Sequence, residues 1–394
     1  MNIAVIGCGY VAEFYLKTLE NYPELKLAGV YDRNPLNLDK FAQRWPARKY
    51  ASFEELAGDT AVELVLNLTN PRSHFEVTKR CLEAGKHVYS EKPLGMTASQ
   101  AQALVELASS KGLYLAAAPC SMLSETAQTL WKAIRESVVG KVRLVYANFD
   151  DGMIAPGMAP WTWVNESGVP WPARDEFEVG CTYEHAGYVL TWLAAMFGPA
   201  LSVTSFASCQ IPDKGIAVEG MAPDFSVGCI DYADGVVARI TCGLIAPKDK
   251  SLTVVGDEGV LFVGDVRNDA GPVMVRGSKL GRWQSSIARR TQWLHRWLEA
   301  RFPWPGAQAL FQHRYPLVLE PRGRMVGPGK PVDFMRGPAE VAEAIREKRP
   351  CRLSAQLGAH IVEIVEALQY PERFGHRKKM TTSFAPMQPM RWAN

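Results

Sequence analysis

Asn2-Ile3-Ala4-Val5-Ile6-Gly7-Cys8-Gly9-Tyr10-Val11-Ala12 opens the chain with a short aliphatic strand running straight into Gly-x-Gly-x-x-Ala. That form suits the pyrophosphate of a dinucleotide. Gly7 permits a tight turn off the strand, Gly9 lets backbone approach the phosphates, and the small Ala12 lets the next helix pack close to the strand. Tyr10 and Val11 fall where helix N-terminal amides face the anion. A glycine turn that binds nothing is the plainer reading, but the strand before it and the helix after it are the context the motif requires. Asp32 ends the next strand-like run, where a carboxylate accepts hydrogen bonds from the ribose and repels a 2′-phosphate, which favours NAD. Arg33 beside it suits a 2′-phosphate or stacks on adenine, so NADP stays open.

Outward from this stretch, aliphatic runs at 3–6, 27–31, 64–68, 87–89 and 114–118 alternate with helix-like segments at 11–21, 37–44, 74–84 and 99–110. Such alternation predicts a parallel sheet covered by helices, an α/β Rossmann domain over residues 1–120, with Gly85 and Gly112 ending helices. Residues 121–394 read differently. Helices are expected at 126–138, 182–197, 339–348 and 356–369, and strands at 142–149, 201–208, 225–232, 235–243, 251–255 and 259–263. Turns at Asp234-Gly235 and Asp257-Glu258-Gly259 suggest hairpins, hence an α+β domain with a largely antiparallel open sheet. Residues 151–178, rich in Trp, Pro and Gly, are expected to be one long irregular loop.

The 394 residues are 47% hydrophobic and 22% charged, the pattern of a globular protein. A formal net charge of +3 gives no sign of a nucleic-acid partner. Eight scattered cysteines without a Cys-x-x-Cys pair fit reduced thiols and argue against a metal site. With no charged leader ahead of the first strand and no long apolar run, a cytoplasmic location is expected. The segment 276–330 carries eleven Arg and Lys against two acidic residues, with Trp283, Trp293, Trp297 and Trp304. It reads as a basic insertion whose solvated face packs on its own or a sister chain; contact with a membrane surface is the rival reading.

Tyr89-Ser90-Glu91-Lys92-Pro93 follows the fourth strand-like run. Ligands of open α/β sheets bind beyond the strands' carboxyl ends, which puts Lys92 near the nicotinamide and Glu91 beside it. An ammonium there is placed to stabilise negative charge on a substrate oxygen. An exposed lysine in a surface turn is the bland alternative.

These features resemble the glucose-fructose oxidoreductase/inositol dehydrogenase (Gfo/Idh/MocA) family. The resemblance rests on Gly7–Ala12, on Asn70-Pro71 with His74 four residues after Asn70, on Gly85-Lys86-His87-Val88 and on Glu91-Lys92-Pro93-Leu94, in that order. A weaker likeness extends through 333–354. The family implies a Rossmann domain plus an α/β domain whose sheet often joins subunits, so a homo-oligomer, dimer or tetramer, is expected. It implies Lys92 as catalytic or substrate-binding, and Thr69, Asn70, His74 and Glu91 on the cofactor side. Its usual Asp-x-x-x-His pair falls on Glu184 and Tyr188, a departure from the common pattern. Positions i and i+4 share a helix face. A tyrosine serves as acid or base, particularly beside a lysine that lowers its pKa. His185 sits about 100° away on an ideal helix, and it too can serve in proton transfer if the helix start is irregular.

Trp161, Trp163 and Trp171, followed by Arg174, precede this helix. Aromatic faces with polar neighbours suit sugar rings, so the four are expected to bind substrate; a structural plug or subunit contact is the alternative. The expected function is nicotinamide-dependent oxidation of a secondary alcohol on a sugar, sugar nucleotide or cyclitol, with Lys92 and Tyr188 handling oxyanion and proton and Glu184 orienting them. Two other readings stay open: a glycoside hydrolase of the same family that oxidises its sugar transiently, and a non-enzymatic nucleotide-sensing or scaffold protein resting on 276–330.

Overall fold

The computed structural model describes residues 1–154, 159–277, 313–321, 332–375 and 377–394. Most of the basic segment 276–330 lies outside these residues. Strands β1 (Asn2–Ile6), β2 (Lys26–Tyr31), β3 (Leu64–Asn67), β4 (His87–Ser90) and β5 (Leu115–Ala117) form an all-parallel sheet in the order β2-β1-β3-β4-β5. Chain direction across the sheet reverses between β1 and β3, the position at which open α/β sheets leave a ligand crevice. Helices α1 (Ala12–Leu16), α2 (Pro35–Arg44), α3 (Phe53–Gly58), α4 (His74–Glu83) and α5 (Ala98–Ser110) connect the strands.

The expected 11–21 helix is broken. The α-helix ends at Leu16 and a separate 3-10 turn covers Leu19–Asn21. The short α3 has no counterpart among the expected helices, although its signal is present. Ser52 accepts from the Glu55 amide and Glu55 in turn accepts from the Ala51 amide, a near capping box. Gly85 and Gly112 adopt positive φ at their helix ends, as expected.

The second sheet has nine strands: β6 (Val142–Asp150), β7 (Ala200–Ser208), β8 (Phe225–Tyr232), β9 (Val237–Gly243), β10 (Leu252–Gly256), β11 (Gly259–Val263), β12 (Val273–Gly277), β13 (His313–Arg314) and β14 (Lys378–Lys379). Their order is β13-β12-β11-β10-β6-β9-β8-β7-β14, antiparallel throughout except where β6 pairs parallel with β9. β6 therefore inserts between two hairpins that follow it in sequence, a non-local pairing that turn signals do not reveal. The helices of this half are α6 (Glu125–Arg135), α7 (Ala173–Val179), α8 (Cys181–Phe197), α9 (Arg336–Glu347) and α10 (Ala355–Gln369). α7 corrects the expectation of unbroken loop over 151–178: Pro172 precedes it, and Asp175 and Glu176 sit in its first turn, where acidic groups favour a helix N-terminus.

α8 is the hub. Its sequence is apolar nearly all round and every residue from Cys181 to Ala195 is buried, as a helix without a polar face must be. It packs on β6, β8 and β9 on one side and on α10 on the other. α10 also packs on α5 and β5, and the chain just before it bridges the edge of the first sheet at Ala116 and Ser354. This packing holds the N-terminal turns of α8 over the carboxyl ends of the first sheet. No described helix is long and apolar enough to cross a membrane.

Candidate active site

A cleft of 310 Å³ opens between the glycine turn after β1, the ends of β3 and β4, and the N-terminal turns of α8. On the sheet side, Gly7 has φ +96°, and a Cβ there would lie 2.6 Å from the Leu68 carbonyl oxygen, so only glycine fits the turn. Gly9 is the opposite case: a Cβ there meets nothing within 4 Å, because its backbone faces open cleft. That combination is what a pyrophosphate requires. Tyr10, Val11, Thr69, Asn70, His74 and Glu91 share the lining, whereas Ala12 is buried beneath it.

His74 is a buried strut rather than a freely facing ligand. Its ring nitrogens sit 2.8 Å from the Thr69 carbonyl and 2.7 Å from the Pro93 carbonyl, tying the loop after β3 to the turn after β4. Burial lowers its pKa, against the pull of those two carbonyls. Glu91 accepts from the Tyr15 hydroxyl at 2.6 Å and from the Lys92 amide at 3.0 Å, so its carboxylate braces the same turn. Asp32 accepts from the amides of Cys8 (2.7 Å) and Asn34 (2.7 Å), which locks the glycine turn to the end of β2. Neither Asp32 nor the exposed Arg33 lines the 310 Å³ cleft.

On the other side, Glu184 and Tyr188 lie one helical turn apart on α8 and both face the cleft. The Lys92 ammonium pairs with the Glu184 carboxylate. Burial works against the Lys92 charge, but Glu184, then Tyr188, Glu176 and Glu91, outweigh it and hold the pKa above the ordinary lysine value. Lys92 therefore stays an ammonium. Tyr188 stacks on Phe149 at 5.2 Å. Its pKa is raised by burial, and Arg267 and Lys92 offset this only in part. The expected lowering by a neighbouring lysine does not prevail, since the ring is buried on all but its cleft edge.

His185 also lines the cleft, although the helix start is regular. The cleft wraps around α8, and its wall beside His185 comes from β6 and α7. The ring stacks on Phe149 at 4.9 Å, with Nε2 3.4 Å from Asp151 and 3.5 Å from Glu176. Burial depresses its pKa to about 3, with Asp151 opposing and Lys92, Lys250 and Arg267 reinforcing. A histidine depressed below its ordinary value contributes stability above about pH 6.5 that is lost as pH falls toward the folded value. We therefore expect the thermal midpoint to drop between pH 6.5 and 4, at up to about 1.4 kcal/mol per pH unit, and to drop less steeply in His185→Gln. Calorimetry at four or five pH values decides this; equal slopes would remove His185 as the cause.

Trp163 and Trp171 line the cleft, with ring centroids 5.6 Å apart. Trp161 instead packs against Gly215, and Arg174 points outward, exposed; neither lines the cleft. Between the two cleft tryptophans the chain forms a strap across the Rossmann half. Asn165 donates to the Tyr10 carbonyl, Ser167 to Glu13, and Glu166 pairs with Lys17 and Arg44.

Four charged cleft groups have no counterpart among the expected site residues, one of them Asp175 in the first turn of α7, which accepts from the Asn70 side chain. Asp151 follows β6; burial alone would raise its pKa, but His185 and Lys250 bring it below the ordinary value. Glu176 projects from α7, and burial together with Glu184 raises its pKa well above the ordinary carboxyl value. Arg267 comes from the turn between β11 and β12 and lies over the Tyr188 ring. Acidic residues in a Pro- and Trp-rich loop hinted at Glu176. Nothing local marks Arg267.

A glycine cradle, an ammonium and a phenol around one crevice define a nicotinamide-dinucleotide oxidoreductase of the Rossmann class. The description "Oxidoreductase family, NAD-binding Rossmann fold" matches residues 1–118, and the GFO/IDH/MocA C-terminal domain matches residues 127–262. The chain belongs to the Gfo/Idh/MocA oxidoreductase family. It is 26% identical over 260 residues to trans-1,2-dihydrobenzene-1,2-diol dehydrogenase of Mus musculus, covering 65% of this chain and 72% of that one. Its fold is shared with aldose-aldose oxidoreductase from Caulobacter crescentus complexed with glycerol (TM-score 0.73, 16% identity, 96% and 99% of the two chains). It is shared too with the WlbA dehydrogenase from Bordetella pertussis in complex with NADH and UDP-GlcNAcA (TM-score 0.67, 17% identity, 97% and 98%).

Proposed function

We propose that the protein interconverts a secondary alcohol and a ketone on a sugar, sugar nucleotide or cyclitol, using NAD. One observation carries this reading: the Lys92 ammonium and the Tyr188 hydroxyl face the same cleft as the open Gly9 backbone. The names of related proteins, a dihydrodiol dehydrogenase and enzymes of aldoses and UDP-sugars, agree with a polyhydroxylated substrate.

The glycine turn at Gly7 and Gly9 would hold the pyrophosphate of NAD, whose nicotinamide would supply the hydride acceptor or donor. The rest falls to the chain. Lys92 holds the substrate oxygen and stabilises the negative charge that develops there. Glu184 fixes the ammonium and keeps it charged. Tyr188, protonated across the neutral range, gives its proton to the carbonyl oxygen during reduction and takes it back during oxidation. Trp163 and Trp171 offer faces to the C–H side of the ring. A panel of neutral and acidic sugars and cyclitols, followed at the nicotinamide absorbance band, tests the proposal; no turnover with any of them would sink it.

Asp32 carries the cofactor preference in this reading. NAD is expected to be preferred over NADP, and Asp32→Ser to narrow that preference about 10- to 100-fold, by loss of charged hydrogen bonds to the ribose and of repulsion toward a 2′-phosphate. The ratio of kcat/KM for the two cofactors measures it. An unchanged ratio transfers the role to another residue.

A further inference from the structure

We infer that the substrate bears a carboxylate, and that Arg267 is the residue that binds it. The inference rests on the dehydrogenase reading for the location of the reacting carbon, but its own evidence is the pairing of charges in the cleft.

Three cations stand in or against the cleft. Lys92 pairs with Glu184, and Lys250 pairs with Asp151. Arg267 is left over. Its guanidinium lies 4.8 Å from the Tyr188 ring centroid, and its Nε is buried with no hydrogen-bond partner among the described residues. Nor does any described carboxylate form an ion pair with it. Tyr188, Asp151, Asp265 and Glu91 support its charge through space, against the cost of burial, yet none of them pairs with it directly; a buried guanidinium left without a direct partner is an arrangement that gathers at functional sites.

The rest of the cleft suits an incoming anion. Asp151 is neutralised by Lys250, burial keeps Glu176 protonated well above the ordinary carboxyl range, and Asp175, raised above its ordinary value by burial, accepts from the Asn70 side chain. Glu91 is turned toward the Tyr15 hydroxyl and the Lys92 amide. The loop bearing Arg267 is itself braced: its amide donates to Asp265 at 2.8 Å, and Thr126 at the start of α6 donates to the carbonyls of Asn268 and Gly271 at 2.8 and 3.0 Å. The guanidinium is thus held by stacking and by a tied turn, not by a carboxylate. Its planar fork matches a planar carboxylate. Because Arg267 touches Tyr188, an anion held there sits within the same small molecule as the oxygen that Tyr188 protonates. Aldonates and uronates have that layout.

The test uses the protein loaded with NAD, with tryptophan fluorescence as the binding readout, since Trp163 and Trp171 line the cleft. D-Glucuronate is titrated against D-glucose and D-glucose 6-phosphate. We expect D-glucuronate to bind about 10- to 100-fold more tightly than D-glucose, and Arg267→Met to abolish that difference while leaving the affinity for NAD unchanged. Arg267→Lys, which keeps the charge without the fork, should retain part of the difference, and its retained NAD affinity shows that it folds. Equal affinities for acid and neutral sugar, no binding of D-glucuronate, a preference for the phosphate ester, or a preference that survives Arg267→Met each overturns the inference. Loss of NAD affinity in both variants overturns it as well, by assigning Arg267 to the cofactor. Preferential binding of D-glucuronate without hydride transfer supports the anchor and counts against the dehydrogenase reading; turnover of D-glucose alone does the reverse.

Discussion

Lys92→Met is expected to lower kcat about 10²- to 10³-fold, the usual cost of removing one preorganised donor to a developing oxyanion. The substitution has a second effect that must be separated from the first. It strips the counter-charge from Glu184, whose side chain is only 9% exposed. Breaking such a pair from one side costs about 3–5 kcal/mol, because a buried charge is left uncompensated. The double variant Lys92→Met/Glu184→Gln removes both charges together. It should recover most of the thermal stability lost in the single variant and none of the activity. Steady-state kinetics with the best substrate of the panel, beside calorimetry on both variants, resolves the two effects. Full activity in either variant would remove Lys92 from the mechanism.

Tyr188→Phe is expected to lower kcat about 10²- to 10⁴-fold, the span associated with loss of a positioned proton donor. The change keeps the ring, and with it the stacking on Phe149 and the contact with Arg267. The hydroxyl has no hydrogen-bond partner among the described residues, so stability should hold within about 1 kcal/mol. The pH profile supplies a sharper signature. Burial raises the Tyr188 pKa, so the hydroxyl carries its proton through the neutral range and loses it only in the alkaline range. In the direction of carbonyl reduction, wild-type activity should stay level with rising pH until Tyr188 ionises. The variant's small residual rate should lack that alkaline fall. A variant that retains the fall and most of the rate would pass the proton role to another group. His185 is a poor candidate for it at neutral pH, since burial holds its pKa near 3.

The cleft also explains why charge at this site is so closely paired. In a buried setting each carboxylate raises the cost of its neighbours, and each cation relieves it. Glu184 and Asp151 each have a lysine; Glu176, with none of its own, is pushed toward the neutral acid. The third cation, Arg267, has no ion-pair partner among the described residues, and the inference above assigns it one in the substrate. The strap from Trp163 to Trp171 closes this arrangement from the Rossmann side through Glu166 and Ser167. The segment that prompted the scaffold reading lies largely outside the described residues, so that reading gains nothing from the fold.

The first sheet and its phosphate cradle were legible in residues 2–12 because they rest on local chemistry: a β-branched run, a turn only glycine can make, and a small residue that must pack close. The same locality made Lys92 findable, two positions beyond the end of a short strand. Glu184 and Tyr188 were readable as a pair through the family resemblance, with helical spacing putting i and i+4 on one face. Long-range packing decided the rest. The parallel insertion of β6 beside β9 joins residues about ninety positions apart, and no turn signal encodes it. His185 entered the cleft because α7 and β6 close around α8, which the angle on an isolated helix does not convey. The direction of the Tyr188 shift was misread for the same reason: a lysine in the sequence counts as a charge, whereas burial is a property of everything packed around the ring. Arg267, on an ordinary turn between two strands, acquires its meaning only where that turn is tied to α6 and leaned on Tyr188. Local sequence thus marked the half of the site that would hold the cofactor and some side chains of the other half; tertiary packing decided how that second half closes, because His185, Glu176 and Arg267 reach the cleft only through elements distant in the chain.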